Sequence, residues 1–276
     1  MHKSGNSLTR DGNAWMAADI VLRAEGLTKE FKGFVAVDGV SIAVKRGSIH
    51  ALIGPNGAGK TTFFNLISKF LEPTAGRIFY RDREITGLMP SDIARLGIVR
   101  SFQISAVFGH LTALENVRVA LQRSLGTTFH FWRSDRSLDG LNARAEELLD
   151  AVGLIDQRDR LAVELPYGGK RALEIATTLA LEPEVMLLDE PMAGIAHDEL
   201  DRIVELVRRV AKDRTVLMVE HNLSVVATLS DTITVLARGQ VLAEGTYAEV
   251  STNPAVIEAY MGTPDAPAAT GSATHG

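Results

Sequence analysis

Short apolar runs alternate along this chain with longer segments in which apolar residues recur at helical spacing. The runs are bounded by glycine, proline and charged residues and predict strands, whereas the helical spacing predicts amphipathic helices. The predicted strands cover residues 20–24, 40–44, 49–53, 77–80, 97–103, 185–188 and 215–219. The predicted helices cover residues 63–67, 114–121, 141–152, 164–180 and 200–210. Strands that alternate with helices indicate an α/β fold.

The alternation is interrupted between residues 105 and 163, where the pattern is helical. Thr112 and Glu115 have the spacing of a capping box in front of the run that ends at Leu121. A second helix is predicted from the apolar residues Leu141, Ala145, Leu148, Leu149 and Val152, which share one helix face. We therefore expect a helical subdomain, at about 105–163, inserted into the α/β core.

Composition and charge narrow the class of protein. The chain has 276 residues, 46% of them hydrophobic, which suits one domain with an inserted lobe. A net charge of −5 without a long basic run argues against a nucleic-acid partner, and the lack of cysteine excludes disulfides. No apolar run approaches the roughly 20 residues that span a bilayer. Residues 1–18 and 263–276 are predicted to be disordered tails around a domain at 19–262.

Residues 54–62 match the phosphate-binding loop G-x-x-x-x-G-K-[ST] between a predicted strand and a predicted helix, which is the context that this motif requires. Its backbone N–H groups are expected to hold phosphates, with Lys60 between the β- and γ-phosphates and the Thr61 hydroxyl on Mg²⁺. A glycine-rich turn without a ligand would not need both residues in register. The predicted nucleotide-binding residues here are Gly54, Pro55, Asn56, Gly57, Ala58, Gly59, Lys60, Thr61 and Thr62.

Polar residues also follow three other predicted strands. Asp189 and Glu190 follow the apolar strand 185–188, His221 follows 215–219, and Gln103 ends 97–103. Ligands of open α/β sheets bind at the carboxyl ends of the strands, so these residues are expected to meet at one γ-phosphate. Asp189 would hold Mg²⁺ through water, Glu190 would orient the attacking water, His221 would contact the γ-phosphate and Gln103 the metal or water. Taken singly, the histidine and the glutamine fit a structural or solvated position equally well.

These motifs stand in the order found in ATP-binding subunits of ABC transporters, and the chain resembles that family from about residue 20 to residue 262. The resemblance implies a RecA-like P-loop NTPase core with an antiparallel β subdomain and an inserted helical subdomain. It also implies a dimer that holds two ATP molecules between its subunits. Phe31 and Phe34 each fit either a core position or a ring that stacks on adenine, and the family's spacing to Lys60 favours Phe31 as the stacking ring.

Residues 165–171 stand where the family has its Leu-Ser-Gly-Gly-Gln signature. The resemblance implies that Pro166, Tyr167, Gly168 and Gly169 contact the ATP held by the other subunit. Pro166 replaces the serine whose hydroxyl donates to the γ-phosphate, so that bond is either missing or supplied by the two glycine N–H groups and the helix N-terminus. Residues 193–196 also lack the aspartate that often follows the two acids.

Residues 34–41, 173–176, 219–222 and 253–262 are similar to ATP-binding subunits of branched-chain amino-acid importers. That similarity implies two transmembrane permease subunits, a second ATPase subunit or a second copy of this chain, and an external solute-binding protein. It places the chain on the cytoplasmic face of the inner membrane as a peripheral protein. The aromatic stretch 129–132 is either a permease contact or a small satellite core.

Other functions have less support in the sequence. Related subunits serve urea or short-amide import, or lipopolysaccharide export. A soluble ABC-type ATPase acting on nucleic acid or ribosomes usually has a long coiled-coil insertion or two fused cassettes, and this chain has neither, nor a basic face. A small-molecule kinase has to exclude the water that Glu190 is placed to activate.

Overall fold

The computed structural model describes residues 19–101, 107–124 and 136–261. Within these ranges the chain forms an α/β structure with two sheets. The strands are β1 (Ile20–Phe31), β2 (Phe34–Lys45), β3 (Ile49–Ile53), β4 (Ala75–Tyr80), β5 (Arg83–Glu84), β6 (Ile98–Arg100), β7 (Val185–Asp189), β8 (Thr215–Val219), β9 (Thr232–Ala237) and β10 (Gln240–Gly245). The helices are α1 (Lys60–Ile67), α2 (Pro90–Arg95), α3 (Ala113–Ser124), α4 (Arg136–Ala151), α5 (Tyr167–Leu179), α6 (His197–Ala211), α7 (Leu223–Leu229), α8 (Tyr247–Ser251) and α9 (Pro254–Met261).

The larger sheet has the strand order β10-β9-β3-β8-β7-β6. Its strands run parallel except β10, which pairs antiparallel with β9. Parallel pairing brings the carboxyl ends of β3, β6, β7 and β8 to one edge of the sheet, where ligands of such sheets bind. The α/β prediction is confirmed, and so are the bounds predicted for β3 and β8.

Both faces of the larger sheet are buried. Successive residues of one strand point to opposite faces and belong to two different hydrophobic cores. In β8, Leu217 packs into the core around Phe63 and Phe64 of α1, beneath the antiparallel sheet. Its neighbours Val216 and Met218 pack into the opposite core, which α5 and α6 cover. A sheet fixed from both sides gives the loops at its carboxyl edge a rigid base.

The smaller sheet is antiparallel, with the order β2-β1-β4-β5. Residues 28–34 were expected to separate two short strands, and this expectation was wrong. β1 and β2 continue through that segment and turn at Lys32 and Gly33, both with positive φ, so that Phe31 pairs with Phe34. Shifts in register along the pair break the alternation of apolar and polar residues, which hid the length of these strands.

The strand predicted at residues 97–103 is shorter in the structure. β6 ends at Arg100, the last residue that pairs with β7, and Ser101 adds one further bond from its N–H to the Leu187 carbonyl at 2.9 Å. Pairing therefore ends where β7 approaches its own end. Gln103 lies outside the described residues.

Helices α3 and α4 lie between β6 and α5 in the chain and pack on each other and on α5. The predicted capping box is confirmed, because Glu115 N–H donates to Thr112 Oγ1 at 3.2 Å and Thr112 N–H donates to Glu115 Oε2 at 2.7 Å. The limits 105–163 of this lobe stay a prediction. The stretch 129–132 and both predicted tails lie outside the described residues. Among the helices that the structure describes, none is long and apolar enough to cross a membrane.

Candidate functional site

The phosphate loop, residues 54–62, connects β3 to the start of α1. Two of its glycines are required by close neighbours. A Cβ on Gly54 would lie 2.1 Å from the Leu236 carbonyl oxygen, and one on Gly59 would lie 2.5 Å from that of Ala36. Both glycines have positive φ, which L-residues rarely adopt. The strands β2 and β9 therefore lie so close to the loop that only glycine fits at these two positions, and the loop curls tightly.

Lys60 is buried inside this curl. Its ammonium donates to the carbonyl oxygens of Gly54 at 2.7 Å and Pro55 at 3.0 Å. Burial lowers the pKa of Lys60, and the negative charge of Glu190 opposes that shift. A partly desolvated cation at a helix N-terminus suits a phosphate, so the residues present fit a nucleotide. Thr61 follows in the first turn of α1 with its side chain exposed.

Asp189, the last residue of β7, forms an ion pair with Arg100. Arg100 Nη2 donates to Asp189 Oδ2 at 2.5 Å, and its Nη1 donates to Asn65 Oδ1 at 2.6 Å and to Ser68 Oγ at 3.1 Å. Arg100 thus links the end of β7 to α1 and fixes one side of the Asp189 carboxylate. The sequence prediction did not include Arg100. A charged residue within the otherwise apolar strand β6 was the feature of the sequence that could have pointed to Arg100.

Glu190, the residue after Asp189, lies close to His221. Its Oε1 lies 4.0 Å from His221 Nδ1, and both side chains are about half exposed. The backbone of Glu190 is left-handed, with φ of 46°. The N–H of Glu190 donates to the Val219 carbonyl at 3.0 Å, which ties this turn to β8. The two adjacent acids therefore serve different partners.

Glu220 lies behind His221 with its side chain buried. Its carboxylate accepts the backbone N–H groups of Met192 at 2.9 Å, His221 at 3.2 Å and Asn222 at 3.4 Å. Burial raises the pKa of Glu220, and these three bonds oppose the rise. The sequence prediction gave Glu220 no role, although an acid directly after the apolar residues 216–219 was a signal for one.

Arg171 also contacts the loop after β7. It is buried in α5, and its Nη1 pairs with Glu174 Oε2 at 2.5 Å one helical turn later. Its Nε donates to the Pro191 carbonyl at 2.9 Å and its Nη2 to the Glu190 carbonyl at 2.7 Å. Sequence reasoning missed this residue as well, because a charged pair in a helix is usually solvated.

The signature residues form the beginning of α5. Pro166 precedes the helix without a side-chain cap, and Tyr167 is exposed, with its ring covering Gly194. The N–H of Gly168 donates to Glu199 Oε2 at 3.3 Å, so this donor already has an acceptor in the chain. The predicted contacts of Pro166, Tyr167, Gly168 and Gly169 with a partner's ATP stay predictions.

The two aromatic candidates lie at the turn of the β1–β2 hairpin. Phe31 is 42% exposed and Phe34 is 68% exposed, and the Lys29 ammonium lies 5.2 Å from the centre of the Phe31 ring. The hairpin adjoins the phosphate loop through the close approach of Ala36 to Gly59. Both rings are therefore available near the loop, and the assignment to Phe31 stays a prediction.

The C-terminal helix α9 also reaches the phosphate loop. Its Tyr260 hydroxyl is buried beside the backbone N–H of Gly54. Burial raises the pKa of Tyr260 to about 12, and the Gly54 N–H opposes that rise. Sequence reasoning included this segment only as part of a resemblance.

Comparison with known proteins identifies the family. Residues 37–193, more than half of the chain, match the model of the ABC transporter family. The chain belongs to the ABC transporter family. Residues 240–266 match a second model, described as branched-chain amino acid ATP-binding cassette transporter, which includes α8 and α9. This ABC protein is thus of the ATPase type that is coupled to transport.

Relatives of this ABC ATPase are similar over nearly their whole length. It is 40% identical over 253 residues to LivG of Salmonella typhimurium, a high-affinity branched-chain amino acid transport ATP-binding protein, covering 88% of this chain and 98% of the relative. It is also 40% identical over 252 residues to the Pseudomonas aeruginosa protein BraF, which carries the same description, with the same coverage.

Solved structures agree with this assignment. The ADP conformation of an ATP-binding cassette of an ABC transporter has a TM-score of 0.78 and 32% identity, covering 88% of this chain and 99% of that one. A nucleotide-free cassette has a TM-score of 0.77 and 32% identity, covering 87% and 98%. The prediction of a P-loop ABC ATPase core is confirmed.

Proposed function

We propose that this ABC ATPase hydrolyses ATP to power the import of branched-chain amino acids. The observation that carries hydrolysis is the Glu190–His221 pair, 4.0 Å apart at the sheet edge that also holds Lys60 and Asp189. The support for the solute is the 40% identity to two branched-chain amino acid transport ATP-binding proteins over 98% of their length.

The residues of the chain divide the work on ATP. Loop N–H groups and Lys60 would bind the phosphates, and the ring of Phe31 would stack on adenine. Thr61 and Asp189, with Gln103, would hold Mg²⁺, which when bound neutralises charge on the phosphates. Arg100 engages Oδ2 of Asp189, and the other carboxylate oxygen would bind the metal or its water. A hydroxyl and a carboxylate are oxygen ligands of the kind that Mg²⁺ prefers.

Glu190 and His221 would act on the attacking water and the γ-phosphate. The exposed carboxylate of Glu190 can accept a hydrogen bond from a water and so orient it for attack. His221, beside it, can donate to a γ-phosphate oxygen. Glu220 fixes the backbone that carries His221.

The proposed partners follow from the family. Two transmembrane permease subunits would receive the motion, and a second ATPase subunit or another copy of this chain would complete each site through Pro166, Tyr167, Gly168 and Gly169. An external solute-binding protein would deliver the amino acid. The chain would work as a peripheral protein on the cytoplasmic face of the inner membrane, without a nucleic-acid partner.

The test is transport by the assembled complex. The chain is purified with its membrane partners in mild detergent and reconstituted into vesicles with the binding protein. ATP-dependent uptake of labelled leucine, isoleucine or valine is expected, and it should vanish in the variant Lys60→Ala. Uptake of urea or short amides instead, or recovery of exporter-type membrane proteins, would contradict the proposed solute. Recovery without any membrane protein would contradict the transport role.

A further inference from the structure

Arg171 makes contacts that a simple ion pair does not need. Beyond Glu174, its guanidinium donates to the carbonyls of Glu190 and Pro191 and lies 3.5 Å from that of Asp189. These carbonyls belong to three consecutive residues, the last residue of β7 and the first two residues of the turn that follows it. A planar guanidinium presents donors in a fixed fork, which suits several carbonyls held in one geometry.

The turn that Arg171 holds is strained at the residue that matters most. A left-handed backbone at a residue other than glycine costs about 1–3 kcal/mol and persists only where its surroundings hold it. For Glu190 those surroundings are few and specific. Its N–H donates to Val219, and its carbonyl accepts from Arg171 and from the N–H of Ala193. The direction of the Glu190 carboxylate towards His221 depends on this turn.

We propose that Arg171 is a positioning residue for Glu190, so that the beginning of α5 controls the geometry of hydrolysis. This inference rests on the proposed role of Glu190 in orienting water. Tyr167, the first residue of α5, is one helical turn before Arg171. A shift of the beginning of α5 is therefore passed through one buried side chain to the Glu190 backbone. The signature that faces the partner's ATP and the water-orienting acid are mechanically joined.

A purely structural role for Arg171 makes different predictions. In that case the Arg171–Glu174 pair would only neutralise two buried charges within α5, and the carbonyl contacts would be incidental. Losing either member would then lower stability, and activity only in proportion. The positioning role separates the two residues, because within the described part of the chain Glu174 hydrogen-bonds Arg171 and Ser101 and makes no bond to Glu190 or Pro191.

Three variants make this separation. Arg171→Lys keeps the positive charge beside Glu174 and loses the fork that reaches the carbonyls. Glu174→Gln keeps Arg171 and removes its charge partner. The double variant Arg171→Met with Glu174→Met removes the pair at similar volume, a change that is often neutral for stability. Glu190→Gln is measured alongside them to test the role of Glu190 itself.

The measurements are the kcat and KM for MgATP of the full chain with its membrane partners, and the melting temperature of each variant. Arg171→Lys and the double variant should lose about 10- to 100-fold in kcat, the scale of a small misplacement of a reacting group, with KM within about twofold. Glu174→Gln should lower the melting temperature more than Arg171→Lys does, yet keep kcat within about threefold.

A probe of the turn adds a readout that stability does not affect. The chain contains no cysteine, so Ala196→Cys introduces a single site for a spin label. Ala196 is exposed, between the turn and α6. The label should become more mobile in Arg171→Lys and stay unchanged in Glu174→Gln.

The outcomes are decisive in each direction. A kcat within threefold of the unmodified chain in Arg171→Lys, or in a folded double variant, would overturn the inference. So would equal losses of kcat in Arg171→Lys and Glu174→Gln that follow their melting temperatures. If the double variant does not fold, the two single variants decide alone. Full turnover in Glu190→Gln would instead defeat the proposed role of Glu190.

Discussion

The residues at the carboxyl edge of the larger sheet and those at the outer rim of the site, Phe31 and Tyr167, are supported by different contacts. At the sheet edge, Glu190 and His221 have exposed side chains, but their backbones are fixed by the buried charges of Arg171 and Glu220. At the rim, the exposed ring of Tyr167 packs against Gly194, and Phe31 lies at the turn of the β1–β2 hairpin.

This difference separates two tasks. Groups that act on a water and a phosphate need fixed geometry, which buried and fully bonded charges provide. Groups that meet an adenine ring or another subunit need exposed area. Changes at the sheet edge should therefore lower turnover or stability, whereas changes at the rim should weaken binding.

The largest effect is expected for Glu190→Gln. Glutamine keeps the size of the side chain and loses the charge that orients water, so kcat should fall by roughly 10² or more. ATP binding should stay near normal, because Lys60 and the loop are untouched. Turnover by the purified complex and binding of a fluorescent ATP analogue measure the two quantities. Unchanged turnover would remove Glu190 from the mechanism.

Glu220→Gln tests the other support of the sheet edge. The carboxylate accepts N–H groups with both oxygens, and an amide would turn its NH₂ group against one set of these donors. The free energy of unfolding should fall by about 2–3 kcal/mol, the cost of buried donors left without an acceptor. Denaturant unfolding measures it. Glu249→Gln, at an exposed capping box, is the matched control and should change stability by well under half that amount.

Much of the fold was predictable from the sequence, because the spacing of apolar residues and the short motifs both reflect local structure. The apolar runs of β3 and β8 gave their bounds, since strands buried on both faces have no polar alternation to confuse the pattern. The capping box before α3 was predictable for the same local reason. The long hairpin of β1 and β2 was not, because its bulges disturb the alternation.

The supports of the site were not predictable. Arg100, Arg171 and Glu220 each hydrogen-bond a residue far away in the chain, at 89, 19 and 28 positions respectively. Spacing along the chain carries no signal for such contacts. Motif reasoning finds the groups that would touch ATP, since their order is local, and it overlooks the residues that hold them.

The buried residue His50 makes the stability of the fold depend on pH. It is fully buried in β3, and its Nε2 lies 2.8 Å from Thr234 Oγ1, whose hydroxyl donates to Glu244. Burial lowers the pKa of His50 to about 4, whereas the unfolded chain takes up this proton near pH 6.5. Stability from this residue is therefore lost as the pH falls from 6.5 towards 4, by about 2 kcal/mol at pH 5.

The check is denaturant unfolding at pH 7 and pH 5 for the unmodified chain and for His50→Gln. The difference in stability between the two proteins should shift by about 2 kcal/mol in favour of the variant at pH 5. An equal pH dependence in His50→Gln would show that His50 takes up its proton in the fold as readily as in the unfolded chain, which would contradict the lowered pKa.

The smallest effect is expected at the rim, where Phe31→Ala should weaken ATP binding by about 1–2 kcal/mol, the scale of one base stacked on an aromatic ring. Turnover at saturating ATP should stay within about twofold, because Phe31 lies at the turn of the β1–β2 hairpin and not at the sheet edge. Phe34→Ala is the matched control, since Phe34 pairs with Phe31 across the same hairpin and is more exposed.

If Phe34→Ala weakens binding and Phe31→Ala does not, the stacking ring is on the other strand. If either variant lowers turnover as much as Glu190→Gln, the rim and the sheet edge are not separate, because the hairpin then shapes the phosphate loop through the close approach of Ala36 to Gly59.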